Sequence, residues 1–167
     1  MATIKLKGND IHTSGELPVI GSKAPDFRLV DGSLADRTLA DYAGKRVVVN
    51  IFPSVDTAVC ATSVRRFNEK AAGLHNTVVL GVSRDLPFAF SRFCAAEGIE
   101  NVETLSEMRQ LKFGEDWGVR IVDGPMAGLL ARAVVVLDAD HNVIYTQLVP
   151  EITEEPDYER ALSSLAT

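Results

Sequence analysis

The run from Val47 to Phe52, Val-Val-Val-Asn-Ile-Phe, is the feature that most limits how this chain can fold. A strand that is apolar on both of its faces is typical of the centre of a sheet that is covered on two sides. Thr77–Val82 repeats the pattern, and the segment between the two runs has helical periodicity. The alternation of such units predicts an α/β sandwich with a mixed sheet.

The rest of the chain extends this pattern in both directions. Gly8–Asp10 follows an alternating segment and predicts the turn of a small N-terminal β-hairpin. Asp85 is predicted to cap the second long helix, and Gly98 to follow its end. Helices are predicted over Thr57–Leu74, Asp85–Glu97, Glu107–Trp117 and Asp157–Leu165, and further strands over Phe27–Val30, Val102–Leu105, Arg132–Leu137 and Val143–Leu148. The sequence contains no recognisable linker or internal repeat, so we expect one domain over residues 1–167.

Composition excludes several classes of function. The net charge of −6 argues against a nucleic-acid partner and against an anionic membrane surface. No apolar run approaches the ~20 residues of a membrane span, and the N-terminus carries no secretory signal, so we expect a cytoplasmic protein. Two cysteines and three scattered histidines are too few for a structural zinc site or a disulfide scaffold.

Reactive chemistry is concentrated between Pro53 and Cys60. Pro53 ends the buried strand, and Thr57 is a plausible N-cap, which places Cys60 in the first turn of a helix. Free backbone N–H groups and the helix dipole favour the thiolate there, and the thiolate is the reactive form. The Thr57 hydroxyl is positioned to bond the thiolate or an oxygen bound beside it. A plain N-cap and an inert core thiol fit the same positions.

Two other residues have a structural and a functional interpretation. Cys94 lies on the second helix beside Phe93, where it is either a buried core thiol or a thiol that resolves an oxidised Cys60. Arg132 precedes five apolar residues, so it either marks a strand that enters from solvent or directs its guanidinium into the site. Local sequence leaves both pairs of alternatives open.

Six segments form a pattern along the chain: PSVDTAVC at 53–60, DLPFA at 85–89, SRFC at 91–94, DGP at 123–125, ARAVV at 131–135 and EIT at 151–153. Together they resemble the thiol peroxidase branch of the peroxiredoxins, the atypical two-cysteine type. The general P-x-x-x-T-x-x-C pattern fits the whole peroxiredoxin superfamily, whereas the later segments are specific to this branch. The likeness runs from the N-terminal hairpin to the last helix, and no functional position departs from the pattern.

The resemblance implies a thioredoxin-like α/β fold, a mixed sheet flanked by helices, with an added N-terminal β-hairpin. It implies reduction of hydrogen peroxide and alkyl hydroperoxides without a metal or organic cofactor, in a homodimer that thioredoxin recycles. By the same likeness, Cys60 is the peroxidatic thiol and Cys94 the resolving thiol, and the two form an intramolecular disulfide. Thr57, Arg132 and Pro53 complete the implied site.

Two other classes of protein remain as alternatives. A thiol–disulfide oxidoreductase on the same fold would use C-x-x-C where this chain has T-x-x-C, with its second cysteine 34 positions away. A binding domain with two inert cysteines would leave the joint occurrence of Thr57, Cys60 and Arg132 unexplained.

Overall fold

The strands of the chain form a two-stranded hairpin and one large sheet. The computed structural model describes residues 1–166, so the last residue of the predicted domain, Thr167, lies outside them. The strands are β1 (Thr3–Leu6), β2 (Asn9–His12), β3 (Leu29–Val30), β4 (Asp36–Arg37), β5 (Arg46–Ile51), β6 (Thr77–Ser83), β7 (Glu103–Ser106), β8 (Ala133–Leu137) and β9 (Val143–Leu148). The helices are α1 (Ala58–Ala71), α2 (Pro87–Glu97), α3 (Lys112–Asp116) and α4 (Tyr158–Ser163), with 3-10 turns at Leu39–Tyr42 and Ser164–Ala166.

The large sheet is mixed, as the sequence predicts. Its strand order is β4-β3-β7-β6-β5-β8-β9. Strands β5, β6 and β7 run parallel, whereas β8 and β9 add on one side as antiparallel strands and β3 and β4 on the other. β1 and β2 form the separate N-terminal hairpin. The predicted α/β fold with a thioredoxin-like mixed sheet and an added hairpin is confirmed.

Strand β5 contributes side chains to a separate core on each face of the sheet. Val47, Val49 and Ile51 join the core beneath the hairpin, whereas Val48 and Phe52, the residue just after the strand, pack with the side chains of α1, α2 and α4. Successive residues of a strand point to opposite faces, so an uninterrupted apolar run supplies both cores. Helix α1 fits onto this surface because Cys60, Ser63, Val64 and Phe67 recur at helical spacing and are buried.

Local predictions failed where tertiary contacts decide the outcome. The N-cap of α2 is Leu86 and not Asp85, because the Asp85 carboxylate is bonded to another segment. Helix α3 is shorter than predicted, since the Glu107 N–H still donates to the carbonyl of Ser83 at the end of β6.

The hairpin turn was predicted at Gly8–Asp10 and lies at Lys7–Gly8. Both turn residues have positive φ angles, as a two-residue turn of the I′ type requires. Gly98 ends α2 with φ 66°, as predicted.

None of the helices within residues 1–166 combines the length and the apolar character that a bilayer span requires.

Candidate active site

Cys60 lies where the central strand gives way to helix α1. Phe52 and Pro53 end the strand, four residues form a loop, and the helix begins at Ala58 with Thr57 as its N-cap. Cys60 is therefore the third residue of the helix, beside backbone N–H groups that have no partner within the helix. Its side chain is fully buried, and its thiol is free. The helix end gives this sulfur a positive electrostatic environment.

Arg132 supplies the charged partner of that sulfur. Its Nη2 donates to Cys60 Sγ over 3.3 Å, and its Nε donates to the Ile152 carbonyl over 2.8 Å. Arg132 is only 2% exposed, and the third nitrogen of its guanidinium, Nη1, has no hydrogen-bond partner among residues 1–166. Strands β5 and β8 pair with Ile51 opposite Ala133, so Arg132 comes level with Phe52 just before the cysteine helix. The sheet register, which the sequence does not reveal, brings the two groups together.

Thr57 lies at the exposed start of the same helix. Its hydroxyl does not bond a backbone N–H of the first turn; it donates to the Ser54 carbonyl over 3.0 Å. The predicted N-cap position is therefore correct, but the predicted capping hydrogen bond is absent from the described residues. The Thr57 hydroxyl oxygen keeps its lone pairs available to a donor in the neighbouring cavity.

A cavity of about 880 Å³ opens beside this group. Pro53, Thr57 and Arg132 line it together, so three of the five site residues predicted from the sequence meet there. The buried Cys60 is not among the lining residues, but it contacts the cavity-lining Arg132. The remaining wall comes from the start of α1, from the hairpin, and from two later loops: Ala58, Val59, Leu6, Lys7, Asn9, Asp10, Ile11, Gly124, Pro125, Met126, Ile152 and Thr153. Most of this lining is apolar. The cavity suits a ligand with an apolar body and one polar group near Arg132.

Cys94 is not part of this cluster. It is half-buried on α2, and its thiol is free. Burial raises the pKa of the Cys94 thiol, although a hydrogen bond with Thr104 on β7 opposes the rise. Cys94 is on α2 and Cys60 on α1, and neither thiol is bonded to the other. A disulfide needs an S–S bond and Cα atoms within ~7 Å, so the two sulfurs must approach each other before they can bridge.

Three acidic residues near the cavity were missed by the sequence analysis as site residues. Asp85 accepts hydrogen bonds from Ser54 and Val55 in the loop before the cysteine helix. Asp123 accepts from the backbone N–H of His12, and its Oδ2 lies 2.6 Å from His12 Nδ1. These two contacts join the hairpin to the loop that carries Gly124–Met126.

Glu151 is the third of these acids. It accepts from the backbone of Lys7, Gly8 and Thr153, and these bonds lower its pKa to about 2. The partners of the three acids lie between 2 and 144 positions away in the sequence, and most are distant, so no local signal marks them. Within the described residues, no group of three His, Cys, Asp or Glu side chains is arranged to hold a metal ion.

Comparisons with known proteins show what this chain is similar to. The Redoxin family model matches residues 20–162. Proteins described as thiol peroxidase from Mycobacterium bovis and from Mycobacterium tuberculosis are each 61% identical over 165 residues, covering 99% of this chain and 99% of theirs. A peroxiredoxin-like protein from Aquifex aeolicus superposes with a TM-score of 0.93 at 39% identity, over 99% of this chain and 96% of that one. A thiol peroxidase from Chromobacterium violaceum shares the fold, with a TM-score of 0.88 at 22% identity over 98% and 95%.

Proposed function

From the fact that this chain belongs to the Redoxin family, in its thiol peroxidase branch, we propose that Cys60 is the thiol that attacks the peroxide and Cys94 the thiol that resolves it. The chain is an enzyme, a thiol-dependent peroxidase whose substrates are peroxides. Arg132, Thr57 and Pro53 complete the proposed site. The observation that carries the proposal is the 3.3 Å bond from Arg132 to the Cys60 sulfur in the first turn of a helix.

In the first step, the Cys60 thiolate attacks one oxygen of the hydroperoxide. The S–O bond forms as the O–O bond breaks, and the leaving oxygen takes up a proton to become an alcohol or water. Negative charge moves from sulfur to this oxygen, so fixed donors are most effective where that charge develops. Arg132 Nη1 belongs to a charged guanidinium, is buried and has no partner in the described part of the chain, which suits it to that oxygen.

Thr57 and Pro53 have supporting roles in this step. The Thr57 hydroxyl donates to the Ser54 carbonyl, so its oxygen is free to accept a hydrogen bond from the O–H of the hydroperoxide, which orients the O–O bond toward the sulfur. Pro53 is buried, and as a proline it has no N–H to attract water beside the thiolate. The product is a Cys60 sulfenic acid.

In the second step, the Cys94 sulfur attacks the sulfenic acid sulfur. The S–S bond forms, the S–O bond breaks, and the oxygen leaves as water. Because both sulfurs belong to one chain, the disulfide is intramolecular. Both thiols are free and each is held in a helix, so we propose that the first turn of α1 or part of α2 unwinds before the bridge closes. Once unwinding exposes Cys94, the burial that raises its pKa is relieved, which favours the attacking thiolate.

The reductant that we propose is thioredoxin. Its dithiol attacks the Cys60–Cys94 disulfide and leaves as a disulfide, so two electrons return the enzyme to its starting state. Its potential of about −270 mV suits it to this task. We place the enzyme in the cytoplasm, where such reductants keep thiols reduced. We also propose a homodimer, in keeping with the exposed apolar side chains of Leu86 and Phe88 at the start of α2.

The cavity supports alkyl hydroperoxides as substrates beside hydrogen peroxide. Leu6, Ile11 and Met126 offer an alkyl chain an apolar wall, and Arg132 lies on the same cavity. Burial of each methylene is worth ~0.8 kcal/mol, so a longer chain should lower KM until the cavity is filled. Hydrogen peroxide has no alkyl chain, so the apolar wall adds nothing to its binding free energy.

The test is peroxide-driven NADPH oxidation in the presence of thioredoxin and thioredoxin reductase. Turnover should vanish in Cys60→Ser. Cys94→Ser, the matched control for loss of a thiol, should consume one equivalent of peroxide and then stop. Sustained turnover by Cys94→Ser would remove Cys94 from the resolving role. Rapid insulin reduction without peroxide consumption by the wild type would favour a thiol–disulfide oxidoreductase instead.

A further inference from the structure

We propose that Asp85 is a positioning residue of the peroxidase reaction: it holds the Ser54–Thr57 loop in the arrangement in which Cys60 meets peroxide. The proposal rests on the proposed role of Cys60. Asp85 lies outside the residues that line the cavity, so its effect on the chemistry passes through the loop.

The Asp85 carboxylate is bonded to the loop through both of its oxygens. Ser54 Oγ donates to Oδ1 over 2.7 Å, and the Val55 N–H donates to Oδ2 over 2.9 Å. Ser83 Oγ at the end of β6 also donates to Oδ2, and it accepts from the Asp85 N–H over 3.0 Å. The carboxylate is thus fixed to the sheet on one side and to the loop on the other. No cation forms an ion pair with it among residues 1–166, and the hydrogen-bond donors to this carboxylate are those of Ser54, Val55 and Ser83.

Ser54 transmits this anchor to the start of helix α1. Its Oγ accepts from the Asp56 N–H over 3.1 Å, and its carbonyl accepts both the N–H and the hydroxyl of Thr57. Thr57 is the N-cap of the helix that carries Cys60. A shift of Ser54 therefore moves Thr57 and the first helical turn relative to Arg132, whose own position is set by β8 and Ile152.

Asp85 also directly precedes the segment that carries the second cysteine. Leu86 caps α2, and Cys94 lies on that helix. An exposed ion pair between Arg92 and Asp56 adds a second link between α2 and the loop. Because the two cysteines must move toward each other to bridge, bonds that join the loop to the residue before α2 stabilise the arrangement that precedes bridging. Asp85 should therefore favour the reaction with peroxide and oppose disulfide closure.

This opposite effect on two steps distinguishes positioning from stability alone. Asp85→Ala should lower the second-order rate constant for sulfenic acid formation by about tenfold, since hydrogen bonds to a charged group are lost and the reacting atoms lose their alignment. It should leave the first-order rate of disulfide closure unchanged or raise it. The first step is measured in a Cys94→Ser background by quenched-flow trapping of the sulfenic acid with dimedone. The second is measured with Cys94 present at saturating peroxide, by alkylation of the remaining thiols.

Asp138→Ala is the matched control. Asp138 accepts backbone N–H bonds from Asp140 and Asn142 in the β8–β9 turn, so its loss removes the same kind of bond away from the site. Asp138→Ala should keep both rate constants. If Asp85→Ala does not fold, Asp85→Asn keeps one acceptor for Val55 and should still slow the first step by at least about twofold.

Three outcomes would overturn the proposal: an unchanged first step in the folded Asp85 variant, equal slowing of both steps, or equal slowing by Asp138→Ala. A wild type whose Cys60 does not react with peroxide would instead refute the proposed function, and the Asp85 role with it.

Discussion

Replacement of Arg132 by methionine should remove most of the peroxidase activity while the fold persists. The change keeps the aliphatic stem of a side chain that is only 2% exposed, and it deletes the guanidinium. Nη2 then no longer donates to Cys60 Sγ, and Nη1 is no longer available to the leaving oxygen. Both losses fall on atoms that change charge during the first step.

The expected magnitude follows from these two interactions. A hydrogen bond that involves a charged group contributes about 2 kcal/mol net, so two of them amount to about 4 kcal/mol. At 1.36 kcal/mol for each factor of ten, kcat/KM should fall about 10³-fold. The Ile152 carbonyl also loses its bond from Nε, which by the same value costs about 2 kcal/mol in the free energy of unfolding.

The assay is the second-order rate of Cys60 oxidation by hydrogen peroxide, with urea unfolding run in parallel. Arg46→Met is the matched control, because Arg46 donates to the carbonyls of Leu165 and His75 at the other end of β5. It should cost similar stability and leave the oxidation rate unchanged. If Arg132→Met retained more than about a tenth of the wild-type rate, or if Arg46→Met lost as much, electrostatic assistance by Arg132 would be refuted.

Three other properties can be predicted from the structure. Burial opposes ionisation of Asp31, but the hydrogen bond from Arg37 and other donors lower its pKa from 3.8 to about 2. The ionised carboxylate therefore adds about 2 kcal/mol to the free energy of unfolding above pH 4, and this contribution is lost as the pH falls toward 2. Urea unfolding of wild type and Asp31→Ala should show that the difference between their free energies of unfolding shrinks over this pH range. Ser63→Ala leaves the Nδ2 group of the buried Asn50 without its acceptor and should lower the free energy of unfolding by about 1–3 kcal/mol, again by urea titration. Burial raises the pKa of Cys94, so in Cys60→Ser its alkylation by iodoacetamide should be slower than that of an exposed cysteine at pH 7 and rise about tenfold per pH unit.

The sequence predicted those parts of the site that depend on neighbouring residues. A buried strand, a proline that ends it, a cap and a cysteine three residues later are local features, and each lies where it was expected. The two faces of β5 likewise follow from the alternation of its side chains. The strand β9 was predicted with its observed limits because its hairpin partner and turn are adjacent in the chain.

The rest of the site depends on contacts between distant segments. Arg132 and Cys60 are 72 residues apart, and only the pairing of β5 with β8 brings them level. Asp85 has the residue type of a helix cap, yet Ser54 and Val55 offer its carboxylate better placed donors, so tertiary bonding overrides the local preference. The same reasoning applies to Asp123, whose partner His12 lies in the hairpin at the other end of the chain.

The most direct test of the account is the mass of the reduced protein after one equivalent of hydrogen peroxide, with a peptide map that locates the change. We expect a monomer chain lighter by two hydrogens, with the peptides of Cys60 and Cys94 joined, and a stable dimedone adduct on Cys60 when Cys94 is replaced by serine. Oxidation that appears first on Cys94, or a Cys60 thiol that survives the equivalent of peroxide, would contradict it.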